Sequence, residues 1–323
     1  MTHSVPLWNK SKSEADLTIK PPHDLGLPKA KLITVPWDPL CEEVRWALTR
    51  HGTPFVEYSY PWPLHIFATL EYSDPIPHKQ QTEVPIFVNY KNEVYKRSST
   101  DIFMYLYAHS FNTPLKIYSA PRALDLQEYF HKNLTPAVTR IYLSIILSSK
   151  KLTQKYLIGN THLNTLRAIQ ATTWPIIRIA MYFWFGLSQK KIECAWADIE
   201  IVFTRVEDEL ANQGGKYIAA QTFTAADISF ASHATFVLFP NDEDDENSEN
   251  DAFGAIGCIV PSLKEIPKNV SEKVRKLRGR VAGQHAMKMW MNERGFASKP
   301  DGYRSFPSKY CKAKQDTNRI HKK

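Results

Sequence analysis

The sequence predicts a small α/β domain followed by a larger all-helical domain, and three observations carry that prediction. Strand-like and helix-like segments alternate between residues 30 and 112. From about residue 120 to 298, helical periodicity dominates instead. A short Pro-containing stretch, FNTPLKIYSA (111–120), separates the two regimes.

Residues 1–29 are polar and Pro-containing and read as a tail. KLITV (31–35) is a short β-branched strand, and Cys41, Val44, Ala47 and Leu48 recur at helical spacing over residues 41–50, with Gly52 closing that helix. FVEYSY (55–60) reads as a second strand, which makes a βαβ unit whose strands are parallel neighbours. After a Pro-rich loop, VPIFVNY (84–90) and EVYKR (93–97) flank Lys91 and Asn92 and read as a hairpin. A helix then starts at Ser98 or Ser99 and runs through DIFMYLYAHS. The order β-α-β, then β-β-α, is the thioredoxin-like arrangement.

Beyond the linker come apolar-periodic runs that read as a helical bundle: LDLQEYFHKNL, TPAVTRIYLSIILSS, LNTLRAIQATTWPIIRIAMYFWFG, CAWADIEIVFTRVEDELANQGG, AADISFASHATFVLF and VRKLRGRVAGQHAMKMWMNERG. The most apolar segment, 174–187 (WPIIRIAMYFWFGL), is interrupted by Arg178 and falls short of the about 20 residues that span a bilayer, so a buried helix is expected. Residues 299–323 read as a basic tail without apolar periodicity.

Composition narrows the class. With 43% hydrophobic and 23% charged residues in a chain of 323, disorder throughout is excluded. Cys41, Cys194, Cys258 and Cys311 form no CxxC pair and no zinc spacing, which excludes a disulfide scaffold and fits a reducing compartment. The histidines form no HxxxH or HExxH pattern, so no metal is expected. The first 30 residues lack the apolar core of a signal peptide, and a cytoplasmic location is expected. The net charge of +8 is local: residues 262–323 carry +12, the acidic loop 241–251 carries −7, and the rest is +3. A solvated helix and tail account for that distribution, and contact with nucleic acid or an anionic membrane is not expected.

Several of these segments, in order, resemble the cytosolic glutathione transferases over about residues 31–297. WDPLCEEVRWALTRHGTPFVEY resembles the family's catalytic loop and first helix, TEVPIF its proline turn, SSTDI its Glu/Gln-Ser motif, and GGKYIAAQTFTAADISFA its capping segment. RGRVAGQHAMKMWMNERG is similar to the last helix of bacterial-type members. The resemblance implies a thioredoxin-like, glutathione-binding domain (30–112) and an all-α domain (120–298) that supplies an apolar pocket.

It also implies roles for particular residues. Val84, ahead of a cis Pro85, would pair with the cysteinyl backbone of glutathione. Ser98 and Ser99 would receive the γ-glutamyl carboxylate at a helix start, where the dipole welcomes an anion. Lys79, Gln80 and Gln81 would be within reach of the glycyl carboxylate, or lie in a solvated loop. Thr224 and Asp227 form a capping box, a structural role. The catalytic position is where the chain departs from the family. Asp38 stands before Pro39 where Ser or Cys is usual, and a carboxylate there repels a thiolate. Cys41 is the remaining candidate nucleophile, activated if it faces the helix N-terminus and inert if it faces the core.

The function expected is binding of glutathione, as co-substrate, and its conjugation to, or use in reducing, a hydrophobic electrophile, as in detoxification. Tyr105, Tyr182, Phe183 and Trp184 are candidates to line the pocket for that apolar small molecule. The alternative is a non-catalytic protein of the same fold that serves binding or assembly, as Asp38 suggests. The resemblance leaves a homodimer open.

Overall fold

The computed structural model describes residues 30–51, 53, 55–72, 82–91, 95–109, 117–158, 164–240, 260–294 and 304–305. The 1–29 tail, Gly52, Lys79, Gln80, Gln81, the acidic loop 241–251, Cys258, Cys311 and most of the linker and of the C-terminal tail lie outside the described residues.

Strand β1 (Ala30–Thr34) runs parallel to β2 (Phe55–Ser59), with Ile33 opposite Tyr58, and helix α1 (Pro39–His51) makes the crossover. A short helix, α2 (His65–Leu70), follows β2. Strand β3 (Ile86–Val88) lies antiparallel to β1, and β4 (Tyr95–Lys96) antiparallel to β3, before α3 (Ser99–Ala108). The two parallel strands with their crossover helix, the β3–β4 hairpin and α3 are what the sequence pattern predicts, whereas α2 falls in a stretch read as a Pro-rich loop. Nor is the fifth strand predicted: β5 (Arg304–Ser305) pairs parallel with β2 and completes the order β4-β3-β1-β2-β5. The basic tail is therefore tied to the sheet at one point. Two residues suffice to pair with an open edge but are too few to carry a readable period.

The helical domain holds α4 (Pro121–Leu147), α5 (Lys150–Thr153) with a π-helical turn (Gln154–Ile158), α6 (Asn164–Trp184), α7 (Gln189–Asn212), α8 (Ala225–Leu238), α9 (Lys268–Gly279) and α10 (Val281–Met289), the last running into a π-helical turn (Trp290–Arg294). The first two predicted runs are one helix, because Pro136 sits inside α4 without ending it. The last predicted run is two helices, broken at the extended Arg280. A Cβ on Gly283 would stand 2.0 Å from the Leu277 carbonyl oxygen, so only glycine lets α10 fold back this closely on α9.

Every residue of α8 is buried, as expected of a helix that is apolar all round and carries small residues. It packs against α4, α10 and, across the domain boundary, α1. Trp46 of α1 is fully buried there, its ring 5.2 Å from Trp290. A chain of buried ions reinforces the contact: Arg294 donates to Glu42 at 2.9 Å, Glu42 accepts from Arg45 at 3.0 Å, and Arg45 reaches Glu57 of β2 at 2.8 Å.

The buried helix expected at 174–187 is corrected. Ile177 and Met181 of α6 are buried, but Ile176, Ile179, Phe183 and Trp184 are exposed, the last two at 84% and 77%. A segment apolar on all sides does not say which side docks, and here one narrow stripe does. Among the described residues no helix is long and apolar enough to cross a membrane.

Candidate functional site

The site predicted from sequence begins where β1 hands over to α1. Asp38 is half-buried, and its Oδ1 accepts the Leu40 N–H at 2.8 Å while its carbonyl accepts the Glu42 N–H at 3.2 Å. It is the N-cap of α1. Burial raises its carboxyl to about 6, against the opposing pull of the Leu40 and Cys41 backbone N–H groups.

Cys41 is fully buried. Burial, and then the neighbouring Asp38 charge, push its thiol well above the ordinary range. Of the two orientations open for Cys41, the structure has the inward one: it lies on the inward face of α1 with Val44 and Leu48, where desolvation outweighs whatever the helix terminus contributes. In native protein treated with a thiol alkylating agent, peptide mapping should find the exposed Cys194 modified and Cys41 intact until denaturant is added. Equal rates at the two cysteines would show that α1 presents Cys41 to solvent.

The Val84–Pro85 bond is cis, as expected, and so is Trp62–Pro63. The β3–β4 register sets Phe87 opposite Lys96. Val84 and Pro85, just before β3, and Ser98 and Ser99, just after β4, therefore lie at the same end of the hairpin. Ser98 is the N-cap of α3, exposed, with Oγ accepting the Asp101 N–H at 3.1 Å. Ser99 has a different role: it is 2% exposed, and its hydroxyl lies 3.3 Å from His131 Nε2 on α4. The backbone N–H groups of Ser99 and Thr100, rather than the Ser99 hydroxyl, are thus the donors at the helix start.

Facing the β1–α1 loop is an aromatic cluster. The ring of Phe185, just past α6, lies 5.6 Å from Trp37 and 5.6 Å from Trp62, and Trp184 lies 6.4 Å from Trp62. Tyr182 and Phe183 line a groove of about 800 Å³ together with Ile179 and Leu187. Tyr105 is not part of it; its ring packs on Phe87 at 5.6 Å. Thr224 and Asp227 form the predicted capping box: Asp227 Oδ2 accepts the Thr224 N–H at 2.9 Å, and Oδ1 accepts the Ile218 N–H at 2.9 Å.

One polar constellation is not visible in the sequence. Glu43 (α1), His131 (α4) and His233 (α8) bring ligand-type atoms within 4.8 Å of one another. Glu43 Oε2 lies 2.8 Å from His131 Nε2, and Oε1 accepts from Gln127 at 2.8 Å and from the Ser229 hydroxyl. Burial alone would raise Glu43, but the two imidazoles outweigh it and hold the carboxyl well below its usual range. Burial likewise depresses His131, which the Glu43 charge reverses to a net rise, whereas for His233 burial prevails and its value falls. Local sequence spacing does not reveal this group, because three helices contribute one residue each.

No protein-family model and no curated protein matches the sequence. Solved structures do. A glutathione transferase from Phanerochaete chrysosporium superposes with a TM-score of 0.50 at 16% identity, over 83% of this chain and 98% of that one. A glutathione S-transferase of Ceriporiopsis subvermispora, in complex with glutathione, gives 0.46 at 16% identity over 72% and 99%. Glutathione transferase F7 from Populus trichocarpa gives 0.43 at 15% over 80% and 98%. The chain has the glutathione transferase fold, a thioredoxin-like domain followed by a helical one.

Proposed function

We propose that this protein binds glutathione in its α/β domain and holds an apolar molecule beside it, as a glutathione transferase-like protein. The observation that carries the reading is the antiparallel β3–β4 hairpin, which brings Val84, just before β3, to the same end as the start of α3, just after β4. A peptide laid along Val84 would direct a terminal carboxylate to the N–H groups of Ser99 and Thr100, where the helix dipole stabilises an anion. The aromatic cluster of Trp37, Trp62, Trp184 and Phe185 supports an apolar partner next to it. Free Cys41 and Cys194 suit a reducing compartment in which glutathione is present.

A second reading, binding without turnover, is favoured by one observation: the start of α1 offers a capping carboxylate and a buried thiol in place of a group that activates sulfur. Calorimetric titration with glutathione and a conjugation assay with a generic aromatic electrophile separate the two. Wild type should bind glutathione. Thr100→Glu should weaken binding at least about tenfold, because about 1.4 kcal/mol of repulsion suffices, while leaving the melting temperature unchanged, because an acid in the first turn suits the helix dipole. Turnover in wild type supports transfer; turnover only in Asp38→Ser supports binding alone. Absence of glutathione binding in folded wild type would overturn both readings.

A further inference from the structure

We propose that Glu43, His131 and His233 form a binding site for one divalent first-row transition ion, of the class that includes zinc, at the seam between the two domains. The inference does not depend on the glutathione reading, although the two sites adjoin at Ser99.

The tautomer of His233 carries the argument. Its Nδ1 lies 3.2 Å from Thr135 Oγ1, and that hydroxyl has the Phe130 carbonyl at 3.3 Å to donate to. The tautomer with its proton on Nδ1, toward Thr135, leaves a lone pair on Nε2. That lone pair has no hydrogen-bond partner, belongs to a fully buried side chain, and faces Glu43 Oε2 at 3.4 Å. Two acceptors facing each other in a dry interior repel unless a cation lies between them. A proton on His131 satisfies the 2.8 Å contact with the same oxygen but does nothing for His233. A metal ion would engage all three atoms.

Distances and surroundings agree with that occupant. An ion with bonds of about 2.0–2.1 Å in tetrahedral geometry holds its ligand atoms about 3.3–3.4 Å apart; the 3.4 Å between His233 Nε2 and Glu43 Oε2 matches that spacing, and the 2.8 Å hydrogen-bond contact of His131 Nε2 with the same oxygen would lengthen as an ion replaced the proton. Two imidazoles and one carboxylate select zinc, cobalt, nickel or iron(II) over calcium or magnesium. Hydroxyl oxygens of Ser99 and Ser229 stand 3.3 and 3.5 Å from His131 Nε2 and offer a further ligand. Outer partners are in place: Gln127 and Ser229 on the other Glu43 oxygen, and Thr135 on the far side of His233. Among the described residues no Lys or Arg pairs with Glu43, whereas the adjacent Glu42 is paired with both Arg45 and Arg294. His131 remains 20% exposed, which leaves an entry route.

The test uses the full-length, untagged protein. After incubation with zinc and dialysis, elemental analysis should find one zinc per chain. The melting temperature should rise with zinc and fall back with a chelator. The cobalt-loaded form should absorb in the visible range. His131→Gln, at the partly exposed position, should weaken zinc binding at least tenfold and abolish the cobalt spectrum while its apo form melts cooperatively. His233→Gln should do the same; if that buried variant does not fold, His131→Gln decides alone. Failure of wild type to retain stoichiometric zinc would overturn the proposal. So would full retention in folded His131→Gln, which would place the metal elsewhere in the chain.

Discussion

Glu42→Ala should lose about 3–5 kcal/mol of unfolding free energy, a large share of the 5–15 kcal/mol typical of a folded domain. Glu42 is fully buried and accepts from Arg294 at 2.9 and 3.2 Å and from Arg45 at 3.0 Å. Truncating it takes the shared carboxylate from two buried guanidinium groups, and uncompensated charge in a low-dielectric interior is the costly outcome. Arg45 would keep Glu57 at 2.8 Å, and Arg294 would keep its stacking near the Trp46 and Trp290 rings, so the protein should be weakened rather than unable to fold. Glu42→Gln retains the shape and one acceptor oxygen and should fall between the two. Urea unfolding followed by tryptophan fluorescence reads the effect, since Trp46 and Trp290 lie at this contact. A loss below about 1 kcal/mol, the range of an exposed ion pair, would mean that water reaches these groups.

Asp227→Ala should cost about 3–4 kcal/mol through a different mechanism. The buried Asp227 carboxylate accepts the Ile218 and Thr224 backbone N–H groups and the Thr224 hydroxyl, each at 2.9 Å, with His285 Nε2 at 3.2 Å. Removing it leaves two backbone donors without their acceptor in the interior, at about 1–3 kcal/mol each. It also removes the capping box of α8, on which α1, α4 and α10 all pack. Native-state hydrogen exchange locates the damage: the Ile218 and Thr224 amides should lose protection first, and α8 with them. If protection at those two amides were unchanged, solvent would be supplying the missing acceptor. Glutathione affinity in the folded fraction should stay as in wild type, because Asp227 touches neither Val84 nor α3.

What the sequence made legible follows the range of the interaction. The alternating Leu32, Ile33 and Phe87 strands, the helical spacing from Cys41 to Leu48, the Ser98 cap and the Thr224–Asp227 box are all set by neighbours within a few positions, so their residue types announce them. The candidate site was legible to the same extent: Val84 and the start of α3 are joined by a short hairpin. Orientation was not legible. Cys41 sits at a helix start by sequence and in the core by rotation, and α6 carries apolar residues all round while burying only a stripe. Nor was convergence: Glu43, His131 and His233 are separated by scores of residues on three helices, and no local period links them.

The place of Arg294 in the chain has a consequence for synthesis. A ribosome releases the α/β domain first, yet one of the two counter-ions of Glu42 and a ring that covers Trp46 belong to residues 294 and 290, which emerge only after the helices between them. Until they arrive, the nascent domain has one guanidinium, Arg45, shared between the carboxylates of Glu42 and Glu57, and a less covered indole on the same helix, and neither favours closure. Domains usually fold in the order in which they leave the ribosome. Here the first domain made is the last completed, and a nascent chain stalled before residue 290 would expose Trp46 to chaperones that capture apolar surface.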